Sequence, residues 1–388
     1  MIGEADVTRE DFAAIVTINP DRFSPNPVVR KTLVIFEADD LPIGQVWLEA
    51  GELAEVPQDV TARVARRRSA LAPKPSTASV SVVICTRDRP DELRRCLASF
   101  PLQSRLPDEI IVVDNASEGT TTREVTLAAG ATYLREDRAG LDFARNSGAL
   151  AASGEFVLYT DDDTELHPLW IEKCVAAFDD PVVAAVTGLV LPATLGTEAQ
   201  WLFEDQWSFG RGYERIDYDH AFYRATRGRG CPAWVVGAGA NMAFRRTIFD
   251  EIGLFDERLD VGRAGCSGDS EYWYRILAAG LTCRYEPTAV VYHHHRATLQ
   301  GLSSQVFHYM RGHAAALMVQ HERTGDRGNL YRAFVTMPKH YARRALGRLF
   351  RGERPSNRFL GEQVKGSAAG ILYYWRETRS GKRAPPKS

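Results

Sequence analysis

Residues 80–100, which read VSVVICTRDRPDELRRCLASF, decide the fold. The run up to Cys85 is a continuous β-branched stretch, as expected for a strand that is buried on both faces. A short polar turn follows, and Pro90 is well placed in the first turn of a helix that extends to Phe100. A buried strand followed at once by a helix is the repeating unit of a largely parallel sheet covered by helices.

The same alternation continues along the chain. Residues 109–113 form a second predicted strand, which ends at Asp114, and residues 155–160 form a later one, which ends at three consecutive aspartates. Polar residues therefore gather at the carboxyl ends of apolar strands, where open α/β sheets bind ligands. We predict an α/β fold, a single Rossmann-like mostly parallel sheet flanked by helices, with its site at this edge.

The composition is that of an ordinary globular protein, with 44 % hydrophobic and 25 % charged residues. The six cysteines form no C-x-x-C pair, which favours reduced intracellular thiols over a disulfide framework. The acidic N-terminus has no apolar segment typical of a secretory signal, and no apolar run reaches the roughly 18 residues of a spanning helix. We therefore expect a cytoplasmic protein.

The chain divides into four predicted parts. Residues 1–72 form a small accessory domain with strands and a helix, residues 73–78 a linker, residues 79–300 the core, and residues 301–388 a helical region. The last part holds 17 Lys and Arg against 5 Asp and Glu, a formal charge of +12 in a chain whose net charge is −2.

The charge of the C-terminal region suggests an anionic partner, either a lipid surface, a phosphorylated acceptor or nucleic acid. Residues 308–320 and 341–350 mix basic and apolar side chains at helical spacing. Such helices either pack on the core with a solvated basic face or attach peripherally to an anionic membrane. No recognisable nucleic-acid-binding module is present in the sequence, so nucleic acid is the disfavoured partner.

Asp161, Asp162 and Asp163 are the sharpest chemical feature. Adjacent carboxylates repel one another unless water, a cation or basic groups offset their charge. Their oxygens suit Mg²⁺ or Mn²⁺, which share octahedral coordination with substrate phosphates. A solvated acidic loop explains the same residues without a metal, and the local sequence does not decide between the two.

Other candidate residues each have a structural alternative. Asp114 either accepts hydrogen bonds from a nucleoside or starts an Asx turn, and Arg145 contacts phosphate or forms a surface salt bridge. Asp269 is either a helix N-cap, which the local sequence favours, or a general base. Gly239 and Asn241 either let the backbone approach a ligand closely or form a tight turn. His293 and His295 are either metal ligands or a polar strand end. Four aromatic residues form either an acceptor platform or part of the buried core: Trp201, Phe203, Trp207 and Phe209.

The order and spacing of these pieces resemble the family 2 inverting glycosyltransferases, which have the GT-A fold. The resemblance covers about residues 79–296. Besides the opening stretch, it is carried by EIIVVDNAS, ARNSGALAASGEFVLYTDDDTEL, GAGANMAFRR, GDSEYWYRILAAG and VVYHHH.

The resemblance implies a role for each matching position. The nucleotide-sugar donor would be bound by Thr86, Arg87, Asp114, Arg145, Asp161, Asp162, Gly239 and Asn241. Asp161 and Asp163 match the outer carboxylates of the D-x-D motif, with Asp163 the direct ligand of Mn²⁺ or Mg²⁺, and His293 or His295 completes that site. Asp269 matches the catalytic carboxylate, and Gly268 stands where the family often carries Glu.

The reaction implied is transfer of a sugar from a UDP-, dTDP- or GDP-linked donor to the hydroxyl of a saccharide or lipid-linked acceptor, with inversion. A nucleotidyltransferase is the nearest alternative, but it is expected to carry a Gly-rich phosphate loop with a lysine early in the core, and the stretch after Cys85 offers neither. A non-catalytic nucleotide-sugar-binding protein is the other alternative, although a carboxylate is kept at Asp269.

Overall fold

The computed structural model describes residues 12–22, 27–52, 55–69, 76–351 and 357–379. Residues 73–75 of the predicted linker, like both ends of the chain, lie outside this part. The strands are β1 (Ala14–Ile18), β2 (Thr32–Ala38), β3 (Leu41–Leu48), β4 (Val80–Thr86), β5 (Glu109–Asn115), β6 (Thr132–Glu136), β7 (Phe156–Asp161), β8 (Thr164–Leu166), β9 (Val183–Pro192), β10 (Ile216–Tyr218), β11 (Asn241–Arg245) and β12 (Thr282–His293).

The main sheet has the strand order β10-β12-β9-β11-β7-β4-β5-β6, with β8 paired to β12. Strands β4, β5, β6, β7, β9 and β12 share one direction, whereas β8, β10 and β11 run antiparallel to their neighbours. The sheet is therefore mostly parallel, as the run of β-branched residues in β4 predicts. Thr86 pairs with Asp114, and Cys85 pairs with Asp161, so the polar strand ends meet at one edge.

Helices cover both faces of this sheet. They are α1 (Gln58–Ser69), α2 (Pro90–Ala98), α3 (Thr121–Ala128), α4 (Leu141–Ala151), α5 (Trp170–Ala176), α6 (Glu198–Trp207), α7 (His220–Thr226), α8 (Ile248–Glu251), α9 (Gly268–Ala278), α10 (Leu299–Thr324), α11 (Arg327–Tyr331), α12 (Met337–Arg351) and α13 (Leu360–Arg379). Val83 of β4 packs in a core cluster with α4 and α9, whereas its neighbours Val82 and Ile84 pack in one with α2 and α5. The predicted α/β fold class, a mostly parallel sheet flanked by helices, is confirmed.

The N-terminal strands form a separate three-stranded sheet in the order β1-β2-β3. One face of β2 packs on the main domain, where Leu33 and Ile35 belong to the same apolar cluster as Leu189 of β9. The alternate residues of β2 face α1, since Phe36 clusters with Val60. Period-two alternation thus lets one strand bury both faces.

The C-terminal region is helical, as predicted, and α10 packs closely against α13. Gly366 and Gly370 make this possible, because a Cβ atom at either would lie 2.3 Å or 2.1 Å from a carbonyl oxygen of α10. A segment of π-helix, Arg332–Thr336, joins α11 to α12. Among the described residues, no helix combines the length and the apolar character needed to cross a bilayer.

The local prediction that Asp269 caps a helix is wrong. Helix α9 begins at Gly268, and Ser267 holds the N-cap position with a left-handed φ of 77°. Asp269 therefore lies inside the first turn, which leaves its carboxylate available for another role. The sequence does not indicate that the helix begins as early as residue 268, because glycine disfavours helix interiors.

Candidate active site

One large cleft, with a volume of about 1730 Å³, lies at the carboxyl edge of the main sheet. It runs from the ends of β4 and β7, past the N-terminus of α9, to α10 and α12. The predicted site residues that line it are Thr86, Arg87, Arg145, Asp161, Asp162, Asp163, Gly239, Asp269 and His293. Asp114, Asn241 and His295 are not among the lining residues.

Asp161, Asp163 and His293 form a cluster that fits a divalent cation. Each offers one ligand atom, and these atoms all lie within 4.8 Å of one another. Two carboxylates and an imidazole are a suitable donor set for Mn²⁺, and the carboxylates also suit Mg²⁺. Burial and the neighbouring Asp163 raise the pKa of Asp161, a repulsion that a cation would relieve.

His295 lies behind His293 and orients it. The Nε2 atom of His295 lies 3.2 Å from a carboxylate oxygen of Glu204, and the Nδ1 atoms of the two imidazoles are 2.9 Å apart. Because a carboxylate only accepts, a neutral His295 carries its proton on Nε2 and accepts through Nδ1. His293 then donates from Nδ1, which leaves the lone pair of its Nε2 toward Asp163, 3.3 Å away.

The pKa of His293 supports a neutral ring. Burial lowers this pKa to about 4, although the carboxylate of Asp163 acts in the opposite direction. A neutral imidazole is the form that ligates a metal. The structure therefore places His293 as the ligand candidate and His295 as its positioning residue, a distinction that depends on Glu204 of α6 and is not visible in the run of three histidines.

Arg89 is a site residue that the sequence analysis missed. Its Nη1 atom donates to Asp162 at 2.8 Å and to Asp163 at 2.9 Å. Thr86 donates to the other oxygen of Asp162 at 2.7 Å, so Asp162 is committed to protein partners. The three aspartates are thus not a solvated acidic loop. Arg89 directly precedes Pro90, and its place between a strand end and a helix start was the available signal.

Asp269 is half-buried in the wall of the cleft. Its Oδ1 atom accepts hydrogen bonds from the backbone and side chain of Ser270, at 2.6 and 3.1 Å. Burial, followed by the nearby Asp260, raises the pKa of Asp269, while Arg145 acts in the opposite direction. A carboxylate with a raised pKa is a better proton acceptor than an ordinary one.

Arg145 sits among carboxylates instead of standing free for a phosphate. Its Nη1 atom contacts Asp142 at 3.0 Å and Asp260 at 2.5 Å, and all three side chains are buried. A Cβ atom at Gly239 would lie 2.7 Å from Arg145 and 3.0 Å from Asp269. Glycine at this position therefore keeps the guanidinium and the candidate base close together.

The glycine at position 268 has a steric cause. A Cβ atom there would lie 2.0 Å from Oδ2 of Asp142, an oxygen that has no hydrogen-bond partner among the described residues. The space that a larger residue needs is thus filled by a carboxylate from α4. This contact accounts for the glycine at position 268.

Asn241 and Asp114 are occupied by structural contacts. The Asn241 amide donates to the carbonyl oxygens of Leu189 and Ala289, at 3.0 and 2.9 Å, and accepts from the indole of Trp170 at 2.8 Å. Asp114 accepts from Tyr133 at 2.7 Å, from Arg135 at 2.8 Å and from the backbone of Ser117 at 3.0 Å. Both side chains connect segments that are distant in sequence.

The four aromatic residues of the predicted acceptor platform separate into two groups. Trp207 and Phe209 line the cleft, and the ring of Phe209 lies 5.4 Å from that of His293. Phe203 is buried in a cluster with Leu302, and Trp201 packs toward the N-terminal sheet. The platform hypothesis therefore extends to two residues only.

Comparison with known proteins gives a family match and several distant relatives. Residues 81–253 match the model of glycosyl transferase family 2. The O-antigen biosynthesis protein RfbC of Myxococcus xanthus is 28 % identical over 58 % of the chain and 18 % of its own length. The pre-mycofactocin glycosyltransferase of Mycobacterium tuberculosis is 27 % identical over 70 % of the chain and 53 % of its own length. The glucosyl-dolichyl phosphate glucuronosyltransferase of Haloferax volcanii is 27 % identical over 48 % of the chain and 58 % of its own length.

The chain thus spans less than two thirds of each of these three relatives. Among solved structures, a mannosyltransferase from Pyrobaculum calidifontis, in complex with GDP-Man and Mn²⁺, is 18 % identical, with a TM-score of 0.49 over 83 % of this chain and 94 % of that one. A glucosyl-3-phosphoglycerate synthase from Mycobacterium tuberculosis is 19 % identical, with a TM-score of 0.42 over 63 % and 80 %.

Proposed function

We propose that this chain, whose residues 81–253 match the model of glycosyl transferase family 2, is a metal-dependent inverting glycosyltransferase. It would move a sugar from a nucleotide diphosphate to an acceptor hydroxyl. The observation that carries this proposal is the shared cleft, which holds the ligand cluster of Asp161, Asp163 and His293 together with the candidate base Asp269.

The ligand cluster would hold the diphosphate end of the donor through Mn²⁺ or Mg²⁺. When bound there, such a cation offsets the charge that develops on the leaving nucleoside diphosphate. Arg89 and Thr86 fix Asp162 beside the cluster, so the loop that carries the ligands stays in place. Arg87 lines the cleft with half of its side chain exposed, so it is available for the donor.

Asp269 would act as the general base. As the acceptor hydroxyl attacks the anomeric carbon, one oxygen of Asp269 takes the hydroxyl proton, while the sugar–phosphate bond breaks on the opposite face. A single displacement of this kind inverts the configuration and needs no sugar–enzyme intermediate. Ser270 holds Oδ1 of the carboxylate, so Oδ2, which faces Gly239, is the oxygen left to accept the proton.

The substrate classes remain those that the resemblance implies: a UDP-, dTDP- or GDP-linked donor and a saccharide or lipid-linked acceptor. The name of the Haloferax volcanii relative specifies a lipid-linked acceptor. Trp207 and Phe209, which line the cleft beside His293, offer ring faces on which an acceptor sugar can stack.

A screen of nucleotide-sugars tests this function. Thermal unfolding and slow donor hydrolysis are followed for UDP-, GDP- and dTDP-sugars with Mn²⁺, with Mg²⁺ or with EDTA. We expect at least one donor to raise the unfolding temperature only with metal, because the diphosphate is held through the ligand cluster. A folded protein that responds to none of these donors would contradict the proposal and favour a nucleotidyltransferase or a non-catalytic binding protein.

We further propose peripheral contact of the C-terminal region with an anionic membrane. On α12, Arg343, Leu346 and Phe350 share one face by helical spacing, and the two apolar side chains are 55 % and 83 % exposed. We expect Leu346→Glu with Phe350→Glu to abolish flotation of the full chain with anionic liposomes, whereas Leu127→Glu, at a similarly exposed position of α3, leaves it unchanged. Equal flotation of all three proteins would refute the contact.

A further inference from the structure

The far end of the cleft, which α10 and α12 enclose, contains two arginines held by neutral partners. Arg332 donates from Nε to Nε2 of His313 at 3.4 Å, and its guanidinium lies 4.0 Å from the ring centroid of Trp234. Burial and Arg332 lower the pKa of His313 to about 3, so this imidazole is neutral. Both Arg332 and the second arginine, Arg344, line the cleft.

Arg344 is fixed by two side-chain amides. Its Nε donates to Asn357 at 2.9 Å and its Nη1 donates to Gln363 at 2.9 Å. No hydrogen bond to a described residue uses its Nη2, nor either terminal nitrogen of Arg332. Each guanidinium is therefore positioned by protein contacts while part of its hydrogen-bonding capacity stays open toward the cleft.

In the part of the chain that the structure describes, no carboxylate pairs with these arginines. Within the described ranges, no carboxylate oxygen lies within 4.0 Å of Arg332 or Arg344, and burial lowers the pKa of both. Arg89 shows the contrast, because Asp162 and Asp163 raise its pKa despite burial. Half-buried cations without a counter-ion are costly unless an anion joins them.

This cationic end, defined here as Arg332 and Arg344, is continuous with the site of the candidate base. A Cβ atom at Gly312 of α10 would lie 2.3 Å from the carbonyl oxygen of Cys266, in the loop that leads into Asp269. The next residue of α10 is His313, the partner of Arg332. One helix thus backs both the loop before the base and the cationic end.

We propose that the cationic end binds a phosphate group of the acceptor substrate, an inference that rests on the proposed function. The planar guanidinium matches phosphate oxygens in bidentate geometry. Two positive charges match the charge of roughly −1.5 to −2 that a phosphate monoester carries at pH 7, whereas a carboxylate carries only one. Trp234 and His313 hold Arg332, and the amides of Asn357 and Gln363 hold Arg344, in fixed positions before the substrate arrives.

Binding measurements on the full chain test this proposal. The probes are glycerol 3-phosphate and farnesyl phosphate, with glycerol and farnesol as uncharged counterparts, and EDTA is present so that metal at the aspartates does not contribute. We expect Arg332→Gln and Arg344→Gln each to raise the Kd of a phosphate probe about tenfold or more. Arg376→Gln, at an exposed arginine of α13 that does not line the cleft, leaves the Kd unchanged.

The two phosphate probes distinguish the sources of the ligand. Arginine-dependent binding of glycerol 3-phosphate alone indicates a water-soluble acceptor, and much tighter binding of farnesyl phosphate indicates a lipid-linked one. Arg344→Lys, which keeps the charge but not the fork, is expected to retain part of the affinity. Unfolding temperatures of the variants show whether each is folded.

The proposal is overturned if neither phosphate binds, if both Gln variants bind as the unmodified chain does, or if farnesol binds as well as farnesyl phosphate. Such a result, together with metal-dependent donor binding, leaves the proposed function intact. Conversely, arginine-dependent phosphate binding in a chain that binds no nucleotide-sugar contradicts the proposed function but not the anion site.

Discussion

Asp269→Asn is expected to lower the transfer rate by about 10²- to 10⁴-fold, the range that a positioned general base contributes. The amide is close in shape to the carboxylate but has no basic oxygen to accept the hydroxyl proton. Donor affinity should stay near normal, because the ligand cluster of Asp161, Asp163 and His293 is untouched. The measurements are single-turnover transfer and metal-dependent donor binding.

The transfer rate of the unmodified chain should also depend on pH through the ionisation of Asp269. Burial and Asp260 raise the pKa of Asp269, and the base must be ionised to work. The rate at saturating metal should therefore fall as the pH decreases through a value above the ordinary aspartate pKa of about 3.9. Asp250→Asn, the same change at an exposed position of α8, is the matched control. Near-normal turnover of Asp269→Asn would remove the base assignment.

Asp163→Ala should weaken metal-dependent donor binding by at least about a hundredfold. Loss of an outer partner of a metal ligand typically costs 10- to 100-fold in affinity, and loss of a ligand itself should cost more. His295→Ala is expected to weaken metal-dependent donor binding by that smaller factor of about 10 to 100, because His295 orients His293 through the contact between their Nδ1 atoms. Titration of donor binding with Mn²⁺ measures this loss by comparing the two variants with the unmodified chain.

The control for this series is Glu165→Gln. Glu165 lies on β8, two residues from Asp163, and its carboxylate contacts His294 at 2.7 Å. It is not part of the ligand cluster, so its neutralisation tests for a general effect of negative charge at this edge. Identical Mn²⁺ titrations for Asp163→Ala and Glu165→Gln would contradict the proposed metal site.

The strand-end part of the site was predictable from the sequence, because parallel strands bring their carboxyl ends to one edge. Thr86 and Asp161 follow apolar runs, and the register places them on neighbouring strands. The sequence also points to Asn241, but its sequence context does not show that Trp170 and two carbonyl groups occupy its amide.

The other parts of the site depend on tertiary packing. The roles proposed for His293 and His295 rest on Glu204, which lies 91 residues before His295. The basic charge of the C-terminal region was visible in the composition, but only the docking of α10 and α12 shows that Arg332 and Arg344 face the cleft. Local propensity carries no information about such distant contacts.

The stereochemistry of the product tests the central claim most directly. Once a donor is found, NMR of the product formed at early times reports the configuration of the transferred sugar at its anomeric carbon. A single displacement with Asp269 as the base predicts a configuration opposite to that of the donor. A retained configuration would contradict the account, because it requires a second displacement or attack from the same face as the leaving group.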